Sequence, residues 1–389
     1  MKTSILAGAL LLSSGFLFAK CGTGHTAPAD AAVASSQAHN ETDNTRVQVA
    51  LLLDTSNSMD GLIDQAKSRL WNIINTLTTL RYKGKTPRIE IALYEYGNSR
   101  LSDQSGYIRQ VTPFTTDLDL VSEQLFALRT NGGEEFCGAV IKEALDRLDW
   151  GGKSDDMKLV YIAGNEPFDQ GRVSYKEVLP DAVRQGVYVH TIYCGSRKDG
   201  ISELWKDGAE RGGGKFFNID SDRRVRFIET PYDARIEACN ERINKTYIGY
   251  GKMGASKKYN QQQQDNNAKS LSAANYTERA VSKSKGVYKN ESWDLVDRVK
   301  EDKAALKTIR QEELPAELRG KTAAELETVV AEKTREREGI QKEMAELAKQ
   351  RQAYIDSETK KTGTNDDLGQ AINTSILALA QQKGYNTAP

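Results

Sequence analysis

The run Val47-Gln48-Val49-Ala50-Leu51-Leu52-Leu53 leads directly into Asp54-Thr55-Ser56-Asn57-Ser58-Met59-Asp60-Gly61, and that junction decides the fold. The first seven residues are apolar except for Gln48, as expected of a strand covered on both faces. Leu62, Ile63, Ala66, Leu70, Ile73, Ile74 and Leu77 then recur at helical spacing, so a helix follows the polar turn. Outward from this unit the alternation continues. Arg88–Tyr96, a shorter run near Tyr107–Val111, Lys158–Ile162, Gly186–Tyr193 and Lys215–Ile219 read as strands. Leu118–Leu128, Gly138–Leu148 and Val225–Thr246 read as helices, with another between the strands at 162 and 186. Strands joined by crossover helices predict a doubly wound α/β fold, Rossmann-like, with a mainly parallel sheet. Ligands of such sheets sit at the carboxyl ends of the strands, where Asp54 falls.

Composition narrows the chemistry. The 389 residues carry 54 Lys or Arg against 54 Asp or Glu, so there is no basic excess to favour nucleic acid. Of the three histidines, His25 and His39 lie in a polar stretch near the N-terminus. That leaves His190, inside Gly186–Tyr193, which reads as a packed strand residue. Ser-His-Asp catalysis and histidine-rich metal sites are thereby disfavoured. Oxygen chemistry remains. Asp54, Ser56 and Ser58, at alternate positions of one turn, can converge on a hard divalent cation, Mg²⁺ first, with Ca²⁺ or Mn²⁺ as alternatives. Because two of these ligands are neutral hydroxyls, the ion would keep enough charge to take an acidic group from a partner.

The pattern Asp54-x-Ser56-x-Ser58 after strand one resembles the metal-ion-dependent adhesion site of von Willebrand factor A (VWA) domains, and the resemblance covers residues 46–251. Asn131-Gly132-Gly133-Glu134-Glu135-Phe136-Cys137-Gly138 and Ile162-Ala163-Gly164-Asn165-Glu166-Pro167-Phe168 resemble an exported bacterial branch of that family. The resemblance implies a Thr from the second loop, for which Thr130 is the candidate, with Glu134 or Glu135 as the competing positions. It also implies an Asp in the third loop. Gly164 stands there instead, so Asn165 or Glu166 would have to substitute. The implied function is non-enzymatic binding of a protein that presents an acidic residue.

Two other readings compete. In one, the metal site is degenerate, Asp54 merely caps its turn, and an envelope scaffold acts through its helices. In the other, Asp54 is the nucleophile of an aspartate-type phosphatase. The acid that such an enzyme needs two residues on is replaced by Ser56. Gly212-Gly213-Gly214-Lys215 precedes a strand and is read as a turn, not a phosphate loop.

The ends of the chain supply the setting. Lys2 followed by the apolar run Ile5–Phe18 reads as a signal peptide over residues 1–20, which implies export to the periplasm or cell surface. Cys21 is a candidate for lipidation and the sole membrane link expected, although Lys20 departs from the small residue usual before it. Residues 21–45 read as a flexible tether, 252–275 as a polar linker and 276–389 as a helical tail. Within 322–361, Leu326, Val330, Lys333, Arg337, Ile340, Met344, Leu347, Arg351 and Tyr354 form a 4-3 stripe. That coiled-coil stripe, with charges in its middle, could serve self-association or pack on a neighbour. Asp366–Tyr385 reads as a last amphipathic helix. Finally, Cys137 and Cys194 both lie toward the metal end of the sheet and are expected to form a disulfide, with Cys239 competing.

Overall fold

A computed structural model of the chain describes residues 45–223, 225–362 and 368–387. The stretch read as a signal peptide, nearly all of that read as a tether, and Cys21 lie outside the described residues. Residues Asp43–Pro389 form one compact unit.

The sheet has six strands: β1 (Arg46–Asp54), β3 (Arg88–Tyr96), β4 (Ile108–Thr115), β5 (Met157–Gly164), β6 (Val187–Cys194) and β7 (Gly213–Ile219), in the order β4-β3-β1-β5-β6-β7. A separate short strand, β2, spans Leu80–Tyr82. All pairings in the large sheet are parallel except β3 with β4. Pro113 sits in β4 because an edge strand can spare a donor. This is the doubly wound, mainly parallel sheet expected from the sequence. Alternate residues of β1 feed two cores: Val47, Val49, Leu51 and Leu53 on one face, Ala50 and Leu52 on the other. The first core receives α1 (Asp60–Thr78) and α2 (Leu118–Ala127). The second receives α3 (Cys137–Arg147), α4 (Tyr175–Arg184) and, after the short α5 (Arg197–Ser202), Trp205 of α6 (Trp205–Arg211). The glycine run before β7 is a tight crossing. A Cβ at Gly214 would lie 2.1 Å from the Val189 carbonyl oxygen, and Gly213 has φ +64°.

The boundary expected at residue 251 is not a boundary of the core. After α7 (Asp233–Asn244), the chain does not leave the body: Leu295 N donates to the Ile248 carbonyl and Tyr250 N to that of Trp293. The segment read as a polar linker is the helix α8 (Gly254–Leu271), followed by α9 (Ala273–Lys283) and α10 (Leu295–Glu301). Its Gln261, Gln264 and Asp265 are buried, while Gln262 is exposed. Asp265 accepts from Arg279 Nε at 2.6 Å and Lys283 Nζ at 2.9 Å, and Arg279 also reaches Asp119 of α2 at 2.7 Å. Arg279 and Lys283 are fully buried. Tyr288 donates to Asp119 at 2.5 Å, and Gln264 accepts from Ser122 at 2.8 Å. Composition suggested a linker because a buried ionic cluster and a solvated segment use the same residue types.

The long helix is α11 (Ala323–Thr362), and its stripe faces inward along the same chain. Ile340, Met344 and Leu347 join the core of the first face, while Leu326 and Val330 join a third cluster with Ile248, Leu295 and Leu306. Two of the stripe's charges are buried partners. Arg337 donates to Asp294 and Asp297, both at 2.7 Å, and stacks 4.1 Å from the Tyr247 ring. Arg351 donates to Asp233 at 2.9 Å. The last helix, α12 (Leu368–Gln382), then covers the sheet itself. Leu368, Ile372, Ile376, Leu379 and Ala380 share one core with β1, and Ser375 Oγ lies 2.7 Å from the Tyr161 hydroxyl. The closing strand β8 (Tyr385–Thr387) pairs with β2, setting Tyr385 5.0 Å from Tyr82.

The expected Cys137–Cys194 disulfide is absent. Cys137, Cys194 and Cys239 are all free and buried. Cys137 packs in the core beneath α3, whereas the Cys194 side chain enters the core on the opposite face of the sheet. Both lie near the carboxyl edge, yet the sheet separates them.

Candidate metal centre

Asp54 is the last residue of β1, opposite Tyr96 of β3, and its side chain is fully buried at the carboxyl edge. The turn after it is set by its own carboxylate: Oδ1 accepts the Ser56 amide at 2.7 Å. Ser56 and Ser58 then point the same way, their hydroxyls 3.2 Å apart. The other carboxylate oxygen, Oδ2, is buried with no hydrogen-bond partner.

The third loop leaves β5 at Gly164, and the glycine there has a steric reason. A Cβ would lie 2.6 Å from the Tyr96 hydroxyl, which donates to the Ala163 carbonyl at 3.0 Å. An aspartate side chain would clash at that position, and the polar side chains nearest the turn belong to the next two residues. Asn165 Nδ2 lies 3.3 Å from Ser58 Oγ. Glu166 accepts from Gln170 at 3.2 Å and, through its charge, raises both Asp54 and Glu135.

From the second loop it is Glu135, not Thr130, that faces Asp54. Thr130 donates instead to the Asp60 carboxylate at the start of α1. Glu135 is buried, and a Cβ built on Gly97 would meet Glu135 Cγ at 2.7 Å and Asp54 Oδ1 at 2.8 Å. Asp54 and Glu135 therefore flank one glycine. The loops approach this closely because Gly133 lies against the Gly97 carbonyl, where a Cβ would sit at 2.4 Å. Ser99 N also donates to the Gly132 carbonyl at 2.6 Å. The pair Gly132-Gly133 just ahead of Glu135 was the available sequence signal, since adjacent glycines mark a close backbone approach.

Electrostatics follow from this packing. Burial raises the Asp54 carboxyl to about 8, the Ser56 amide opposes the shift, and Glu135 and Glu166 add to it. Burial likewise raises Glu135 to about 7, with Glu166 adding and the Ser56 hydroxyl opposing. A divalent ion would satisfy the orphaned Oδ2 and reverse both shifts, so the residues present fit one. Among the described residues, no three His, Cys, Asp or Glu side chains converge as a metal cluster. An ion here would therefore also draw on the hydroxyl and amide oxygens of Ser56, Ser58 and Asn165. That donor set is all oxygen and suits Mg²⁺, Mn²⁺ or Ca²⁺.

His190 holds a packing role. It is buried in β6, stacked 4.9 Å from the Tyr161 ring, with Nδ1 accepting the Lys215 amide at 3.0 Å. No helix among the described residues is long and apolar enough to cross a membrane.

No protein-family model matches the chain, and no curated protein matches it. Solved structures do. The conserved hypothetical protein BatB from Bacteroides thetaiotaomicron is 14% identical over 45% of this chain and 90% of its own, with a TM-score of 0.35. The VWA domain of SpRpn10 is 13% identical over 46% of this chain and 90% of its own, with a TM-score of 0.35. Proximal thread matrix protein 1 from the mussel byssus, described with a zinc-occupied MIDAS motif, is 14% identical over 46% of this chain and 43% of its own, with a TM-score of 0.36. At such identities and scores, the fold reading rests on this chain's own strand order and loop motif.

Proposed function

We propose that the chain is an exported cell-envelope protein of the A-domain type that holds a protein partner through a divalent cation, Mg²⁺ first, at Asp54, Ser56 and Ser58. Export and a lipid anchor at Cys21 belong to the proposal through the apolar run Ile5–Phe18 and the cysteine that follows it. The single observation that carries the binding reading is Asp54 Oδ2, a buried carboxylate oxygen with no hydrogen-bond partner, in the field of the Glu135 and Glu166 charges. When bound, the ion supplies a Lewis-acidic position for an oxygen of the partner. The chain's own residues do the rest. Asp54 fixes the turn through the Ser56 amide, Ser56 and Ser58 present hydroxyls, and Glu135 and Glu166 add negative charge. Tyr96 holds the end of β5 in place through the Ala163 carbonyl.

Binding is favoured over turnover because the position two residues after Asp54 is Ser56, which offers no acid to protonate a leaving group. The scaffold reading loses weight because the apolar stripe of α11 is spent within its own chain, leaving Tyr354 as its exposed member. Calorimetric titration of the full chain with Mg²⁺, Mn²⁺ and Ca²⁺ tests the ion site. Saturable one-to-one uptake is expected in wild type and none in Asp54→Ala. Equal heats from both proteins, or none from either, would sink the ion mechanism.

A further inference from the structure

Beside the candidate metal centre lies an open cleft of about 690 Å³, between the start of α1, the loop after α2 and the end of α8. Three cations line it: Lys67, Arg100 and Arg129. Of its two carboxylates, Asp60 already accepts from Thr130, and Asp64 lies 3.8 Å from Lys67. Arg129 spends its guanidinium on the carbonyls of Phe126 and Leu128, at 2.8 and 2.7 Å, which fixes its position without neutralising it. Arg100 is exposed, and neither guanidinium has a carboxylate partner among the described residues. Burial lowers the Lys67 ammonium; Asp64 opposes that shift, Arg129 adds to it and Asp60 opposes it, so the cations outnumber the carboxylates of the cleft by one. The arrangement is built, because one buried side chain sets both arginines. Asn98 donates to the Arg129 carbonyl at 2.9 Å, while its own carbonyl accepts the Arg100 amide at 3.1 Å.

The floor is apolar: Ile63, Phe126 and Leu271. A free inorganic anion would leave that floor wet, whereas a peptide carrying acidic and apolar side chains uses both surfaces. The planar guanidinium forks also match carboxylates in a two-bond geometry. We propose that this cleft docks an acidic segment of a protein partner, whose carboxylates pair with Arg100 and Arg129 while its apolar side chains rest on Ile63, Phe126 and Leu271. The cleft's own groups suffice for this contact, which stands apart from ion binding at Asp54.

The test uses the full chain and a fluorescein-labelled decapeptide of Glu and Leu, read by anisotropy, against the same peptide with Gln for Glu. The Glu peptide should bind and the Gln peptide should not. Kd should rise about tenfold or more in Arg100→Gln/Arg129→Gln, and should rise with added salt. Because Arg129 also braces the backbone, Arg100→Glu serves as the second variant and should weaken binding as strongly. The titrations are run in EDTA, so that no ion at Asp54 can hold a carboxylate of the peptide and failure of the ion reading and failure of this one are separable. Four outcomes would overturn the proposal. They are no binding by wild type, equal binding of the Gln peptide, unchanged affinity in both variants, or binding of a heparin oligosaccharide or inorganic phosphate where the Glu peptide fails.

Discussion

Ile376 lies far outside residues 46–251, yet it is fully buried in the same core as Leu51 and Leu53 of the first strand. Ile376→Ala removes three carbons from that core. At ~0.8 kcal/mol per buried carbon the transfer loss is ~2.4 kcal/mol, and a partly collapsed void of ~50 Å³ adds ~1 kcal/mol at ~24 cal/mol per Å³. A cost of ~3.5 kcal/mol should therefore fall on the whole body. Spread over Asp43–Pro389, with ~2.1 cal/mol/K of unfolding entropy per residue, it corresponds to a fall of ~5 °C in Tm. Differential scanning calorimetry should show one transition in wild type and one, shifted, in the variant. Leu377→Ala, next in sequence but 41% exposed, should move it by no more than ~1 °C. If α12 belonged to a separate tail, two transitions would appear and only one would shift. That result, or an unshifted single transition, would refute the claim that the end of the chain completes the sheet's core.

Arg337→Met should cost about 3–5 kcal/mol in guanidinium denaturation, because it strands the fully buried Asp294 carboxylate. Adding Asp294→Asn should recover part of that loss, and a cost under ~1 kcal/mol would mean that the pair is solvated. His190 gives a pH prediction. Burial, with Lys215 adding, pushes it down to about 3 from the ordinary 6.5, so the unfolded chain binds its proton first. Its contribution is thus fully present above pH 6.5 and is lost as pH falls toward 3, at up to ~1.4 kcal/mol per pH unit. The difference in stability between wild type and His190→Gln should shrink over that window. A difference that holds constant from pH 7 to 4.5 would show that His190 takes up its proton in the fold as readily as in the unfolded chain.

What could be read from the sequence was whatever is decided within one strand and the turn after it. The apolar run before Asp54, the spacing of Ser56 and Ser58, and the alternation of strands with helices all follow from local pattern, because burial on two faces and a tight turn leave period and composition marks. Glu135 left a weaker mark. Its place opposite Asp54 depends on Gly97 and Gly133 letting two loops touch, a contact between distant segments that no periodicity reports. Residues 252–275 differ from the linker expected there for another reason, while the helices expected at 322–361 and 366–385 are present as α11 and α12. Hydropathy treats Asp265, Arg279, Lys283 and Arg337 as solvent-seeking, yet each is buried, paired with opposite charge and supplied with further hydrogen bonds. Such groups are stable in a core only when every partner arrives, so their placement is a property of the assembled fold and not of any window of sequence. The same logic explains the thiols. Cys137 opens α3, which covers one face of the sheet, whereas the parity of Cys194 along β6 sends its thiol to the core on the other face. A pattern that places residues along an edge must also fix the face each side chain enters before it can pair them.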